Sequence, residues 1–92
     1  MPRSRQREAR ADAEETGSFP LRGQLIDAIR ARIDRLGLSQ AEAARQLGIT
    51  APRLNLLMHG RAEFFSVDAL VNLAVRLGLN VRLRITRPYV SN

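Results

Sequence analysis

Residues 38–61 read Leu-Ser-Gln-Ala-Glu-Ala-Ala-Arg-Gln-Leu-Gly-Ile-Thr-Ala-Pro-Arg-Leu-Asn-Leu-Leu-Met-His-Gly-Arg. Ser39 followed three positions later by Glu42 is a capping box, in which each side chain bonds the other residue's backbone N–H and so starts a helix. That helix is short, with Ala43, Ala44 and Leu47 as its inward side and Gly48-Ile49 as its stop. Thr50 is then placed to cap a second helix running to about His59. Pro52 is tolerated there because the first turn needs no intrahelical N–H bond. Leu54, Leu57 and Met58 are spaced to face a core, and Gly60 closes the helix. A very short turn between two such helices, with small alanines that allow close approach, meets the requirement of a helix-turn-helix motif. Its second helix projects its N-terminal half into a major groove. The same spacing also suits a structural helical hairpin with no nucleic acid.

Outward from this core, Leu25, Ile26, Ile29, Ile33 and Leu36 recur at three- and four-residue intervals, which predicts a helix over Leu21 to Leu36. Gly37 ends it in the left-handed position, with Leu38 folding back behind. On the other side, Ser66 caps a helix whose apolar side is Val67, Leu70, Val71, Leu73, Ala74 and Leu77, and Gly78-Leu79 stops it. From Asn80 the period changes. Val81, Leu83 and Ile85 alternate with Arg82, Arg84 and Thr86 up to Pro88, as in a half-buried strand. A single strand needs a partner, and no second strand is evident in the chain. Residues 1–18 contain no Leu, Ile or Val and read as a flexible charged N-terminal tail, with Gly17, Ser18 and Pro20 marking its boundary. The expected organisation is therefore a tail (1–18), an all-α helix-turn-helix domain (19–79) and a C-terminal strand (80–88).

Ninety-two residues allow one core. With one Tyr, three Phe and no Trp, that core is expected to be aliphatic. The absence of Cys removes disulfides and thiolate metal sites, and the single His59 does not assemble a metal centre by itself. No cofactor is expected. No nucleophile, base or metal set stands out among carboxylates scattered over helix faces, so no catalytic residue is assigned and an enzyme is not expected. No apolar run approaches the roughly 20 residues needed to span a bilayer, and Arg3, Arg5 and Arg7 are followed by Glu8, Asp12, Glu14 and Glu15 instead of an apolar stretch. A cytoplasmic setting is the expectation. All fifteen basic residues are Arg, and the net charge is +6. Residues 1–20 are balanced, with four Arg and four acids, whereas residues 21–92 hold eleven Arg against five acids. The excess lies on the part that should fold, and such a field attracts a polyanion.

Leu-Ser-Gln-Ala-Glu-Ala-Ala at 38–44, Leu-Gly-Ile-Thr-x-Pro-Arg at 47–53 and Phe-Ser-x-Asp-x-Leu at 65–70 resemble the XRE-type, lambda-repressor-like helix-turn-helix proteins, particularly the HigA-like antitoxin branch. The resemblance covers roughly residues 20–86. It implies a bundle of four to five helices, and homodimers that bind palindromic double-stranded DNA operators. For the antitoxin branch it also implies repression of the protein's own operon and neutralisation of an RNase-like toxin partner. By position, the resemblance puts Gln40 at a phosphate contact and Thr50 at the start of the recognition helix. Arg53, in that helix's first turn, presents two donors suited to guanine O6 and N7, or grips phosphate. Asn55 reads adenine, touches backbone or is simply solvated. Leu56 falls off the core spacing and either meets a thymine methyl or packs as displaced core. Ala51 stands where relatives often carry Gln, and Arg61 is expected near the phosphate backbone. His59 reads as a helix-end residue. The resemblance further implies dimerisation through the strand carrying Val81, Leu83 and Ile85, which would resolve its unpaired edge, with packing of the strand on its own domain as the alternative. A stand-alone regulator and a protein-interaction module without DNA remain alternatives at this point.

Overall fold

The three α-helices after residue 39 begin at a side-chain cap, and every α-helix ends within two residues of a glycine that lets the chain satisfy the backbone groups left open. A computed structural model describes residues 3–85, with side chains from Phe19 onward. It holds four α-helices and one turn of 3-10 helix: α1 (Arg3–Leu36), α2 (Gln40–Leu47), α3 (Ala51–Met58), the 3-10 turn (Ala62–Phe64) and α4 (Val67–Arg76). Ser39 caps α2 in a complete capping box, its hydroxyl accepting from the Glu42 N–H at 3.1 Å while the Ser39 N–H donates to Glu42 Oε1 at 2.8 Å. Thr50 caps α3 by accepting from the Arg53 N–H at 3.3 Å, and Ser66 caps α4 by accepting from the Ala69 N–H at 3.1 Å.

The helix ends are equally regular. Gly37, Gly48, Gly60 and Gly78 all lie at positive φ. After each, the following N–H reaches five residues back: Leu38 to Ile33, Ile49 to Ala44, Arg61 to Leu56 and Leu79 to Ala74, at 3.0–3.2 Å. This is the Schellman pattern, and it turns the chain sharply enough for consecutive helices to pack on one another.

The core is assembled from one face of every α-helix. Ile26 and Ile29 of α1, Ala43 and Leu47 of α2, Leu54 and Leu57 of α3, and Leu70 and Ala74 of α4 are essentially sealed from solvent. Burying each large aliphatic side chain contributes about 1.5–3 kcal/mol. Phe65, which follows the 3-10 turn, joins them at 2% exposure and is the one aromatic residue in an otherwise aliphatic core. Leu36 is 41% exposed, so the packed face of α1 stops at Ile33.

Two expectations need correction. Helix α1 does not begin at Leu21: it runs from Arg3 through the charged stretch and carries Pro20 inside it. Proline removes one backbone donor there, so the helix lacks the bond back to Thr16. The expected strand at 80–88 is not formed over residues 80–85, and residues 86–88 lie outside the described residues. An extended segment becomes a strand only by pairing its backbone, and no second extended segment of the described residues lies beside it. Val81 is half-buried against the core, whereas Leu83 and Ile85 are 67% and 84% exposed. The bundle has four α-helices and no fifth among the described residues.

Candidate nucleic-acid interface

The α2–α3 pair is fixed from within. Leu47, Leu54 and Leu57 bury the sides that face each other, and Ala43 has no solvent exposure, so the helices approach closely. The left-handed Gly48 (φ 72°) and the extended Thr50 leave only three residues between the helices. The outward side of α3 is consequently its N-terminal half. Thr50, Ala51, Pro52 and Asn55 are exposed there, and Gln40, the first residue of α2, is exposed beside its own cap. Both helix starts present backbone N–H groups and a partial positive charge to solvent, the usual setting for a phosphate.

Arg53 occupies the first turn of α3, but its side chain is turned inward. Its Nη2 donates to the Phe64 carbonyl at 3.1 Å and its guanidinium lies 4.3 Å from the centre of the Phe65 ring. Arg22 of α1 reaches the same place, donating from Nη1 to the Phe65 carbonyl at 3.1 Å. Two arginines from two helices thus fasten the segment after the 3-10 turn, one of them by a cation–π contact worth about 0.5–1 kcal/mol or more when desolvated. Leu56 is half-buried and packs against the core. Asn55 keeps its side chain exposed, and its carbonyl accepts from the His59 N–H and from His59 Nδ1 at 2.8 Å. His59 therefore closes the end of α3.

Arg61 follows the α3 stop and is exposed. Its Nε and Nη2 both donate to Glu63 Oε2, at 3.0 and 2.8 Å, and its guanidinium stands 5.4 Å from the centre of the Phe64 ring. The Glu63 carboxyl is held below the ordinary carboxylate range, first by its own backbone N–H and then by Arg61. Sequence alone assigns no role to Glu63, Phe64 or Phe65. An acid two positions after Arg61, followed by two aromatics, is the local signal that points to them, and Phe65 also opens the motif at 65–70.

Other arginines are occupied elsewhere. Arg32 Nε donates to the Leu77 carbonyl at 2.9 Å, closing the end of α4, where a cation also suits the helix dipole. Arg76 lies against Gly48, and Arg30 sits beside Asp27 at 3.8 Å. Val81, Leu83 and Ile85 do not share one environment: Val81 and Leu83 both border a groove of about 300 Å³ that Leu21, Leu25, Val67, Val71 and Leu79 also line, whereas Ile85 does not reach it. Among the described residues, no group of three or more His, Asp or Glu side chains is placed to hold a metal ion, and no helix is long and apolar enough to cross a membrane.

Two capped helices locked by a tight left-handed turn, with the start of the second facing outward on a basic domain, define the class: a DNA-binding helix-turn-helix regulator. Comparison with known proteins gives the same answer. Residues 9–86 match the helix-turn-helix domain family. A solved structure named as an XRE family transcriptional regulator superposes with a TM-score of 0.71 at 38% identity, covering 88% of each chain. The chain belongs to the helix-turn-helix family, of the XRE type. Comparison with curated proteins finds no match.

Proposed function

We propose that the protein is a dimeric transcriptional repressor that reads a palindromic operator through α3. The observation that carries this reading is the outward N-terminal half of α3, held rigidly by the buried Leu47, Leu54 and Leu57 beneath it. In this reading Gln40, Thr50 and Arg61 contact phosphate. Asn55, the exposed polar side chain in the middle of α3, contacts base edges, and Ala51 lies against the groove wall. Arg53 holds α3 to the loop through Phe64 and Phe65, and reaches DNA only by leaving those contacts.

A palindrome requires a two-fold partner. The reading supplies one by pairing the 80–88 segments of two chains. It is supported by the exposed Leu83 and Ile85 and by the absence of a strand pairing over residues 80–85 among the described residues. Two recognition helices then meet successive major grooves about 34 Å apart. The motifs that resemble the HigA-like branch extend the proposal to an antitoxin that neutralises a toxin partner; without such a partner the protein is a stand-alone regulator. Co-expression with the product of the adjacent gene separates these two.

The deciding experiment measures binding to the protein's own promoter and to a mixed-sequence duplex at low and moderate salt. Asn55→Ala is expected to reduce the preference for the promoter by about 1–3 kcal/mol while leaving mixed-sequence binding nearly unchanged. Absence of any shift on both duplexes would sink the DNA reading. Light scattering at the same concentrations tests the dimer.

A further inference from the structure

Glu63 is the single acidic residue between Glu42 and Asp68, a stretch that contains all of α3 and the loop behind it. Its carboxylate is not directed at solvent in general. One oxygen receives two N–H donors of Arg61 at 2.8 and 3.0 Å, and the Phe64 ring stands against the same guanidinium. Both side chains are about half exposed, at 50% and 48%, so the pair sits on the surface where a long polyanion reaches it. The Arg61 backbone is fixed by its N–H bond to the Leu56 carbonyl, which holds the side chain at the end of α3. A phosphate oxygen would take the same fork of donors that Glu63 now takes, because guanidinium binds carboxylate and phosphate in the same planar geometry.

From this geometry we infer that Glu63 is an internal competitor for phosphate at Arg61, setting how tightly the protein grips duplex DNA of any sequence. The inference rests on the DNA-binding reading above. Glu63 occupies the arginine in free protein, and a DNA phosphate engages Arg61 only by displacing the carboxylate. The weakness of an exposed ion pair is what makes this exchange feasible: such pairs contribute at most about a factor of five to an equilibrium.

The test uses the full chain and a mixed-sequence DNA duplex, with affinity measured over a range of salt concentrations for wild type, Glu63→Gln, Arg61→Gln and the double variant. Glu63→Gln is expected to tighten binding about two- to five-fold, with only a small drop in the unfolding midpoint at neutral pH. Arg61→Gln is expected to weaken binding and flatten the plot of log affinity against log salt by about 0.9. In the double variant the gain from Glu63→Gln disappears. A Glu63→Gln affinity equal to wild type overturns the inference. So does a gain of equal size with and without Arg61, because the carboxylate would then merely repel DNA through space. Wild type that fails to bind the duplex even at the lowest salt removes the DNA reading itself, whereas the two preceding outcomes leave that reading intact.

Discussion

The α2 ending, Leu47-Gly48-Ile49, and the α3 ending, His59-Gly60-Arg61, carry the same backbone hydrogen bonds and glycines of nearly equal φ, 72° and 71°. Their side chains are opposite. Leu47 is 2% exposed and Ile49 packs against the core, so the first stop is anchored and fixes the angle between α2 and α3. His59 and Arg61 are exposed, so the second stop leaves its flanking side chains on the surface, where Arg61 pairs with Glu63. One backbone device therefore serves two purposes, and the residues on either side of the glycine decide which.

Unfolding by denaturant can break this comparison. Leu47→Ala should cost about 2–5 kcal/mol through lost burial and a cavity, whereas His59→Ala should cost no more than about 1 kcal/mol through the lost Nδ1 bond to the Asn55 carbonyl. Equal costs at the two positions would show that the α3 ending is anchored in a way its exposure does not reveal.

A smaller and more even effect is expected at the glycines. Alanine at either position must adopt a left-handed conformation, at about 1–2 kcal/mol. Gly48→Ala should lie at the upper end, because its Cβ would come 3.1 Å from Arg76 Nη1, while at Gly60 the nearest atom is Arg30 Nη1 at 3.6 Å. The Arg76 tip is flexible, so Gly48→Ala combined with Arg76→Ala should recover the difference between the two sites.

The smallest effect concerns acid. The Glu42 carboxyl is lowered from its ordinary value of 4.5, chiefly by the Ser39 N–H, with the Ser39 hydroxyl next. A carboxyl lowered on folding contributes fully above its ordinary value and loses that contribution as pH falls through the folded one. The unfolding midpoint should therefore drop on acidification below about pH 4.5, and Glu42→Gln should shrink the drop. The Glu63 carboxyl is lowered too, by its own backbone N–H and by Arg61, so Glu63→Gln should shrink the drop in the same direction.

Much of this architecture is legible in the amino-acid sequence. The caps at Ser39, Thr50 and Ser66 and the glycine stops are local codes, written within a few residues and read by counting. The core faces follow from the helical period, apart from Leu36, where the period continues one turn beyond the packed face. The extent of α1 is not legible, because residues 3–20 lack the apolar spacing by which helices are recognised. The strand expected at 80–88 rests on an alternation that only a second strand can convert into a ladder. At the site, Gln40, Thr50, Ala51 and Asn55 fall on the surface as their positions indicate. The inward turn of Arg53 is hidden, since its partners Phe64 and Phe65 lie eleven and twelve residues away and are brought near only by the loop.

That inward turn separates two properties that often change together. Arg53 is tied to the fold, whereas Ala51 and Asn55 stand on α3 with exposed side chains and no part in the core. Substitutions at such positions usually shift stability by less than about 0.5 kcal/mol. Under the proposed reading of DNA through α3, substitutions at these two positions change operator preference without a loss of folded protein. The same latitude makes positions 51 and 55 the natural pair to randomise when selecting variants for altered DNA preference.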